Sequence, residues 1–310
     1  MVTGGAGFIG SWLCERLVER GEVVCLDNFD PTYDAAAKKA NIEPFFEHEN
    51  FKLVVGDVRD KELLAELVAD VDYIFHEAAL VSVVESMRDA VKTIEINTIG
   101  TLNILNAALS GDVKKVIIAS SAAVYGDSPE LPKKEGMPPA PRSPYAISKL
   151  DCEYSAKMFC DEYGLRTTSL RYFNVYGPRQ DPTSPYAAAV PIFIRKALKD
   201  EDIIIYGDGT QTRDFVFVKD VVHANELAMT KGNGRVYNVA NGESVSINEL
   251  AELVVELTGA SSKIVYEVER SGDIKHSVAD ISAIEEIGFR TGFDFREGLE
   301  ETIECMLEYI

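Results

Sequence analysis

The first ten residues restrict this chain more than any other stretch. Gly4-Gly5-Ala6-Gly7-Phe8-Ile9-Gly10 carries glycines at G-x-x-G-x-x-G spacing. Glycines placed like this let backbone approach a pyrophosphate and let a helix pack close to a strand. The following helix, expected over residues 11–20 and ended by Gly21, would point its N-terminus at the phosphates. A second strand over residues 22–26 leads into Asp27, about 20 residues past the glycines. A carboxylate there accepts hydrogen bonds from the adenosine ribose, and Asn28 follows instead of an arginine, which favours NAD over NADP. A glycine triplet alone is weak, and Asp27 alone could be a turn or cap residue. Together they make Gly4, Gly7, Phe8, Ile9, Gly10, Asp27 and Asn28 candidate NAD contacts. Only Met1 and Val2 precede Thr3, so the first strand is expected to be very short or to lack residues before Met1.

A bound dinucleotide needs a partner that moves protons, and the middle of the chain offers one. The β-branched, apolar run over residues 115–119 reads as a strand buried on both faces. Ser120 and Ser121 then fall at its carboxyl end, where open α/β sheets bind ligands. Ser143-Pro144 has the form of a helix start, with Ser at the cap and Pro at the first helical position. Tyr145 and Lys149 are four apart and share one face of that helix. A phenol beside an ammonium gives up its proton more readily. With a Ser hydroxyl alongside, such a group can take the proton of a sugar or alcohol hydroxyl.

Strands and helices alternate along the chain, the signature of βαβ units in a doubly wound parallel sheet. Further strands are expected over residues 51–55, 73–76, 166–171, 203–206 and 236–239. Further helices are expected from Asp60 and over residues 90–109, 191–199, 247–258 and 295–310, whereas residues 31–50 read as a loop with a short helix. His76 reads as a packed core residue in preference to a catalyst. At 310 residues the chain can bury a substantial core with a smaller lobe beside it. No apolar run reaches bilayer length and no signal peptide is visible, so a cytoplasmic enzyme without membrane contact is expected. The five cysteines are scattered without a C-x-x-C pair and read as reduced thiols. A net charge of −20 argues against nucleic acid as a partner. An anionic ligand must therefore be met by local arginines and backbone amides.

The combination Thr3-Gly4-Gly5-Ala6-Gly7-Phe8-Ile9-Gly10, Asp27-Asn28, His76-Glu77-Ala78-Ala79, Ser121, Tyr145/Lys149 and Arg171-Tyr172-Phe173-Asn174 resembles the extended short-chain dehydrogenase/reductases that modify nucleotide sugars. Within them it is most similar to the UDP-sugar 4-epimerases. The resemblance covers almost the whole chain and implies a Rossmann sheet with a C-terminal α/β substrate lobe. The division it suggests is 1–171 plus about 216–240 for NAD, and 172–215 plus about 241–310 for the nucleotide sugar. It assigns Ser121, Tyr145 and Lys149 to catalysis. It places Asp57 and Val58 at the adenine, Ala78 and Ala79 beneath the cofactor phosphates, Asn97 facing inward, and Tyr172 by the nicotinamide. The substrate set it implies is Val81, Ser121, Asn174, Val190, Tyr206, Arg213, Arg270, Asp273 and Ser277. Arg213 and Arg270 would clamp the diphosphate, since a guanidinium fork matches phosphate oxygens. Asp273 would help fix the uridine ribose. A small Ser277 at the hexose wall would leave room for a 2-acetamido group. The helix over 90–109 and the Tyr145 helix would form the four-helix interface of a homodimer, although packing on the sheet explains their amphipathicity equally well.

The implied reaction is NAD-dependent inversion at C4 of a UDP-hexose through a 4-keto sugar. UDP-glucose/UDP-galactose and UDP-GlcNAc/UDP-GalNAc are the expected pairs, and the first of them belongs to galactose metabolism. The 4,6-dehydratases need an acid pair after the hydroxyl residue, and UDP-glucuronate decarboxylases usually carry a Glu at the second place. Ala122 and Ala123 stand there instead. The alternatives are a UDP-glucuronate 4-epimerase, another nucleotide-sugar-modifying relative, or a non-catalytic NAD-binding protein, whose kind typically loses the Tyr or Lys kept here.

Overall fold

The computed structural model describes residues 1–31, 34–183, 187–269 and 274–308. Its centre is a seven-stranded sheet in which every neighbouring pair is parallel. The first half of the chain supplies β1 (Val2–Thr3), α1 (Phe8–Val18), β2 (Val23–Asp27), α2 (Ala35–Ile42), β3 (Phe51–Val55), α3 (Lys61–Leu67) and β4 (Tyr73–His76). Next come α4 (Val83–Arg88), α5 (Ala90–Ile94), α6 (Gly100–Ser110), β5 (Lys115–Ser121), α7 (Pro144–Tyr163) and β6 (Thr167–Tyr172). The remainder comprises β7 (Asn174–Tyr176), α8 (Ala189–Ala197), β8 (Ile203–Tyr206), β9 (Thr212–Arg213), β10 (Phe215–Phe217), α9 (Val218–Thr230) and β11 (Arg235–Val239). Last are β12 (Val245–Ser246), α10 (Ile247–Thr258), β13 (Ile264–Glu267), α11 (Ser282–Glu285) and α12 (Phe295–Leu307).

The sheet runs β11-β6-β5-β4-β1-β2-β3. Its order reverses at β1, which lies between β4 and β2, so the crevice at the carboxyl ends of β1 and β4 is the topological switch point. Although β1 has only two residues, it is completely buried, and the carbonyl of Met1 extends its pairing by accepting from the Phe75 amide. Helices cover both faces. Leu13 and Leu17 of α1 pack with Val221 and Ala224 of α9 on one side. Leu64 of α3, Ile104 of α6 and Cys152, Ala156 and Phe159 of α7 fill the other. This two-sided burial explains why β5 and β6 carry nearly unbroken buried runs.

A second core joins Phe193 and Ile194 of α8, Ile203 and Ile205 of β8, Phe215 and Phe217, Leu250 and Val254 of α10, and Leu299 and Ile303 of α12. It is framed by the two-stranded pairs β7–β10, β8–β13 and β9–β12. Helices α10 and α12 both start with complete capping boxes, Ser246/Glu249 and Asp294/Glu297.

Two expectations change. The helix expected over 90–109 is three pieces: α5, a π-helical turn over Glu95–Ile99, and α6. A further helix, α4, precedes it and is capped by Ser82, whose hydroxyl accepts from the Glu85 amide. The Pro144 start holds. Ser143 Oγ accepts from the Ala146 amide, and Gly164 ends α7 at a φ of 74°, a left-handed conformation that suits glycine. All five cysteines are free thiols.

Candidate active site

A cavity of about 810 Å³ opens at the switch point and runs from the glycine turn to the second core. Such a volume lies within the usual range for ligand sites. At one end lie Gly4, Gly7, Phe8, Ile9 and Gly10. Gly4 adopts a φ of 65°, and a Cβ on it would come within 2.8 Å of the Ala78 amide. A Cβ on Gly10 would sit 2.2 Å from the Gly4 carbonyl oxygen. The turn between β1 and α1 therefore closes only with glycine at these places. Helix α1 begins at Gly7 without a side-chain cap and without acidic residues in its first turn. Its first amides are thereby left to an anionic group.

Asp27 follows at the end of β2 and is buried. Oδ2 accepts from the Ala6 amide at 3.2 Å, and Oδ1 accepts from the Phe29 amide at 2.8 Å and from Lys38 Nζ at 3.1 Å. Lys38 lines the same wall and was not anticipated, because nothing in the polar 31–50 stretch marks one lysine over another. Asn28 donates to Asp57 Oδ2 at 2.9 Å. Arg59 grips the same carboxylate with Nε and Nη2 at 2.9 and 2.8 Å and holds it down at about 2. Asp57 and Val58 both line the cavity. The cap of α3 is Asp60, whose side chain accepts from the Leu63 amide.

At the middle of the cavity Ser121, Tyr145, Lys149 and Tyr172 come together with Ala78, Ala79 and Glu77. Ser121 is the last residue of β5 and faces Tyr172 across the β5–β6 pairing, while Tyr145 and Lys149 arrive on the first two turns of α7. Lys149 is buried and donates to the Ala119 carbonyl at 2.7 Å, which pins α7 to β5. Deeper, Arg171 binds Glu153 of α7 through Nε and Nη2 at 2.8 and 2.7 Å, and Ser120 donates to the same carboxylate. His76 is sealed in the core between Thr3 and Thr101, with ring nitrogens 2.7 and 2.9 Å from their hydroxyls. Burial lowers it to about 3, so it is neutral.

Glu77 belongs to the His76-Glu77-Ala78-Ala79 motif, but no pattern along the chain gives it a task. Its Oε1 accepts from the Tyr172 hydroxyl at 2.8 Å, and Asn225 of α9 donates to that hydroxyl at 2.8 Å. Burial pushes the carboxyl up to about 7, opposed by Tyr172 and by the Lys149 charge. An acid placed directly after the buried end of β4 is the signal that could have found it.

At the far end Val81, Asn174, Val190, Tyr206 and Arg213 line the cavity. Asn174 donates to the Asp214 carbonyl at 3.2 Å, and Arg213 Nη1 donates to the Thr212 carbonyl at 2.8 Å. The Asp214 carboxylate, also unforeseen, accepts from the amides of Asn241, Gly242 and Ala279. It fastens the wall that presents Arg213.

Two expected contacts are not among the described residues that line this cavity. Asn97 does not line the cavity. From the π-helical turn its amide pairs with both backbone groups of Leu80 and donates to Ser148, bracing the wall from behind. Ser277 does not line it either, and its amide donates to the Thr212 carbonyl. Arg270 and Asp273 lie outside the described residues, as do Ser184 to Tyr186. Among the described residues no group of side chains could hold a metal ion, and no helix is long and apolar enough to cross a membrane.

A parallel sheet with a glycine turn, an uncapped helix start and a buried ribose-type carboxylate at its switch point defines a dinucleotide-dependent α/β enzyme. The sequence model of the NAD dependent epimerase/dehydratase family matches residues 1–240. The chain is 41% identical to the UDP-N-acetylglucosamine 4-epimerase from Methanobrevibacter ruminantium M1, solved in complex with UDP-N-acetylmuramic acid. That superposition has a TM-score of 0.95 and covers 100% of this chain and 98% of the other. It is 30% identical to the UDP-glucuronic acid 4-epimerase from Bacillus cereus, solved with UDP-glucuronic acid and NAD, at a TM-score of 0.92 and 100% and 99% coverage. A UDP-N-acetyl-α-D-glucosaminuronate decarboxylase of Bacillus cytotoxicus is 39% identical over 329 residues, 99% of this chain and 97% of that protein. The chain belongs to the NAD-dependent epimerase/dehydratase family, and NAD is its cofactor.

Proposed function

We propose that the protein inverts C4 of a UDP-hexose. The observation that carries this reading is the meeting of Ser121, Tyr145 and Lys149 in the cavity that holds the glycine turn and Asp27. Bound NAD supplies a hydride acceptor that can also give the hydride back. The glycine turn and the start of α1 would hold its pyrophosphate, Asp27 its adenosine ribose, and Asp57 and Val58 its adenine. Tyr145, with Lys149 favouring its phenolate, takes the proton from the sugar 4-hydroxyl, and Ser121 shares that hydrogen bond. Arg213, Asn174, Val81, Val190 and Tyr206 would hold the nucleotide diphosphate while the 4-keto sugar turns over. Tyr145 then returns the proton to the C4 oxygen once the sugar presents its opposite face to the returning hydride. Residues 172–215 with about 241–310 would form the substrate lobe, and the remainder the NAD domain.

Ala122 and Ala123, in the turn after β5, offer no acid or base to expel water or assist decarboxylation. That supports epimerisation over the decarboxylase chemistry of the Bacillus cytotoxicus relative. The likeness to a UDP-N-acetylglucosamine 4-epimerase supports the acetamido pair alongside UDP-glucose/UDP-galactose. Turnover of UDP-glucose, UDP-GlcNAc and UDP-glucuronate followed by chromatography tests the reading. Interconversion of a hexose pair supports it, turnover of the uronate alone moves the assignment to UDP-glucuronate 4-epimerase, and inertness toward all three defeats it.

A homodimer belongs to the same reading. Met87 of α4, Val91 of α5, Ile99 and Met158 of α7 are 64, 69, 43 and 40% exposed on adjoining helices. An apolar surface this continuous is characteristic of a buried interface.

A further inference from the structure

Glu77 is a cavity-lining carboxyl without a task in proton transfer at C4. It rests on the end of β4, held by the Tyr172 hydroxyl, which is itself held by Asn225. Tyr145 and Lys149 line the same cavity, and the Lys149 charge acts on Glu77. In the proposed reaction the hydride and the proton leave one carbinol, so the nicotinamide must share this end with Tyr145. Its ring is cationic when oxidised and neutral when reduced. Every fixed charge beside it therefore acts on one redox state and not on the other. The Lys149 ammonium disfavours the oxidised ring and pulls the bound couple toward NADH. A carboxylate beside the ring does the reverse. An enzyme that must give the hydride back in each turnover needs these two influences near balance.

We propose that the Glu77 carboxylate, oriented by Tyr172, sets the redox poise of the bound nicotinamide by offsetting the Lys149 ammonium. The inference rests on the NAD-dependent epimerase reading. The groups that face Glu77 are Lys149 of α7, Tyr172 of β6 and, through Tyr172, the uncharged Asn225 of α9; His76 next to it on β4 is neutral. Tyr145 at the same end is common to every protein compared, so a difference between variants isolates Glu77.

The test equilibrates the purified holoenzyme with defined mixtures of NAD and NADH at about pH 8, where the carboxyl is ionised. The reduced fraction retained after gel filtration is read from nicotinamide absorbance. Glu77→Gln should retain NADH over NAD by about tenfold more than the wild type. Tyr172→Phe, which keeps the carboxyl and removes its hydroxyl donor, should move the ratio the same way by less. Lowering the pH through about 7 should move the wild type toward NADH and leave Glu77→Gln unmoved. Should Glu77→Gln lose dinucleotide altogether, Tyr172→Phe and the wild-type pH series decide. A ratio equal to wild type in both variants with UDP-sugar turnover intact overturns the role of Glu77 and leaves the epimerase reading standing. A wild type that retains neither dinucleotide overturns both.

Discussion

Tyr145, Lys149 and Ser121 line one cavity from α7 and the end of β5, and removing single atoms there should separate binding from turnover. Tyr145→Phe keeps the ring and deletes the oxygen that would take the proton. Turnover should fall by about 10²–10⁴-fold while NAD stays bound, and chromatography of product beside absorbance of the retained cofactor reads both. Near-normal turnover would retire the assignment. Asp27 offers the complementary case. Its carboxylate accepts two backbone amides and Lys38, so Asp27→Ala removes the proposed ribose acceptor and leaves Lys38 without that partner. NAD affinity should drop by about 10–100-fold, measured by calorimetry, since charge-assisted hydrogen bonds are worth about 1.5–3 kcal/mol. The sequence made Asp27 legible through spacing and strand context. Lys38 and the task of Glu77 were not legible, because each depends on contacts across 11 and 95 residues of chain.

Among the elements, α7 carries the most responsibility. Its first turns present Tyr145 and Lys149, and its middle is bolted to β6 by the buried Arg171–Glu153 pair. A buried pair of this kind is costly to break from one side, because the remaining charge has no solvent. Glu153→Gln should lower stability by about 3–5 kcal/mol in urea unfolding. An unchanged midpoint would show that Arg171 finds another partner. The cap of α7 was readable from Ser143-Pro144, a local signal. The π-helical turn at Glu95–Ile99 was not, since helical spacing of apolar residues continues through it. That turn places Asn97 so that its side-chain amide braces both backbone groups of Leu80.

Across the whole molecule, Asp214 joins three stretches of chain. Burial raises its carboxyl from 3.8 to about 7, against the pull of three backbone amides. The folded state then holds a proton that the unfolded chain has already released, so stability is lost as pH rises from near 4 through 7. Asp214→Asn cannot titrate. Its thermal midpoint should differ less between pH 5 and 8 than that of the wild type, by on the order of a few degrees. Equal profiles would mean that other groups control the pH response. At the same scale, sedimentation equilibrium should find a dimer for the wild type. Met87→Glu with Met158→Glu, which puts charges on the exposed apolar helices, should give a monomer. A wild type that sediments as a monomer would dispose of the interface.

The sequence by itself determined the sheet class, the glycine turn, the carboxylate after β2 and the Tyr/Lys pair on one helical face. Each of these is written in spacing along a single element or between consecutive ones, and local sterics and periodicity enforce it. Only the tertiary structure decided that Glu77 faces the same cavity as Lys149, that Asp214 clasps the far wall, and that the Ser277 amide pairs with the Thr212 carbonyl. Those placements depend on which distant segments the two cores bring into contact, and no pattern within a few residues encodes that.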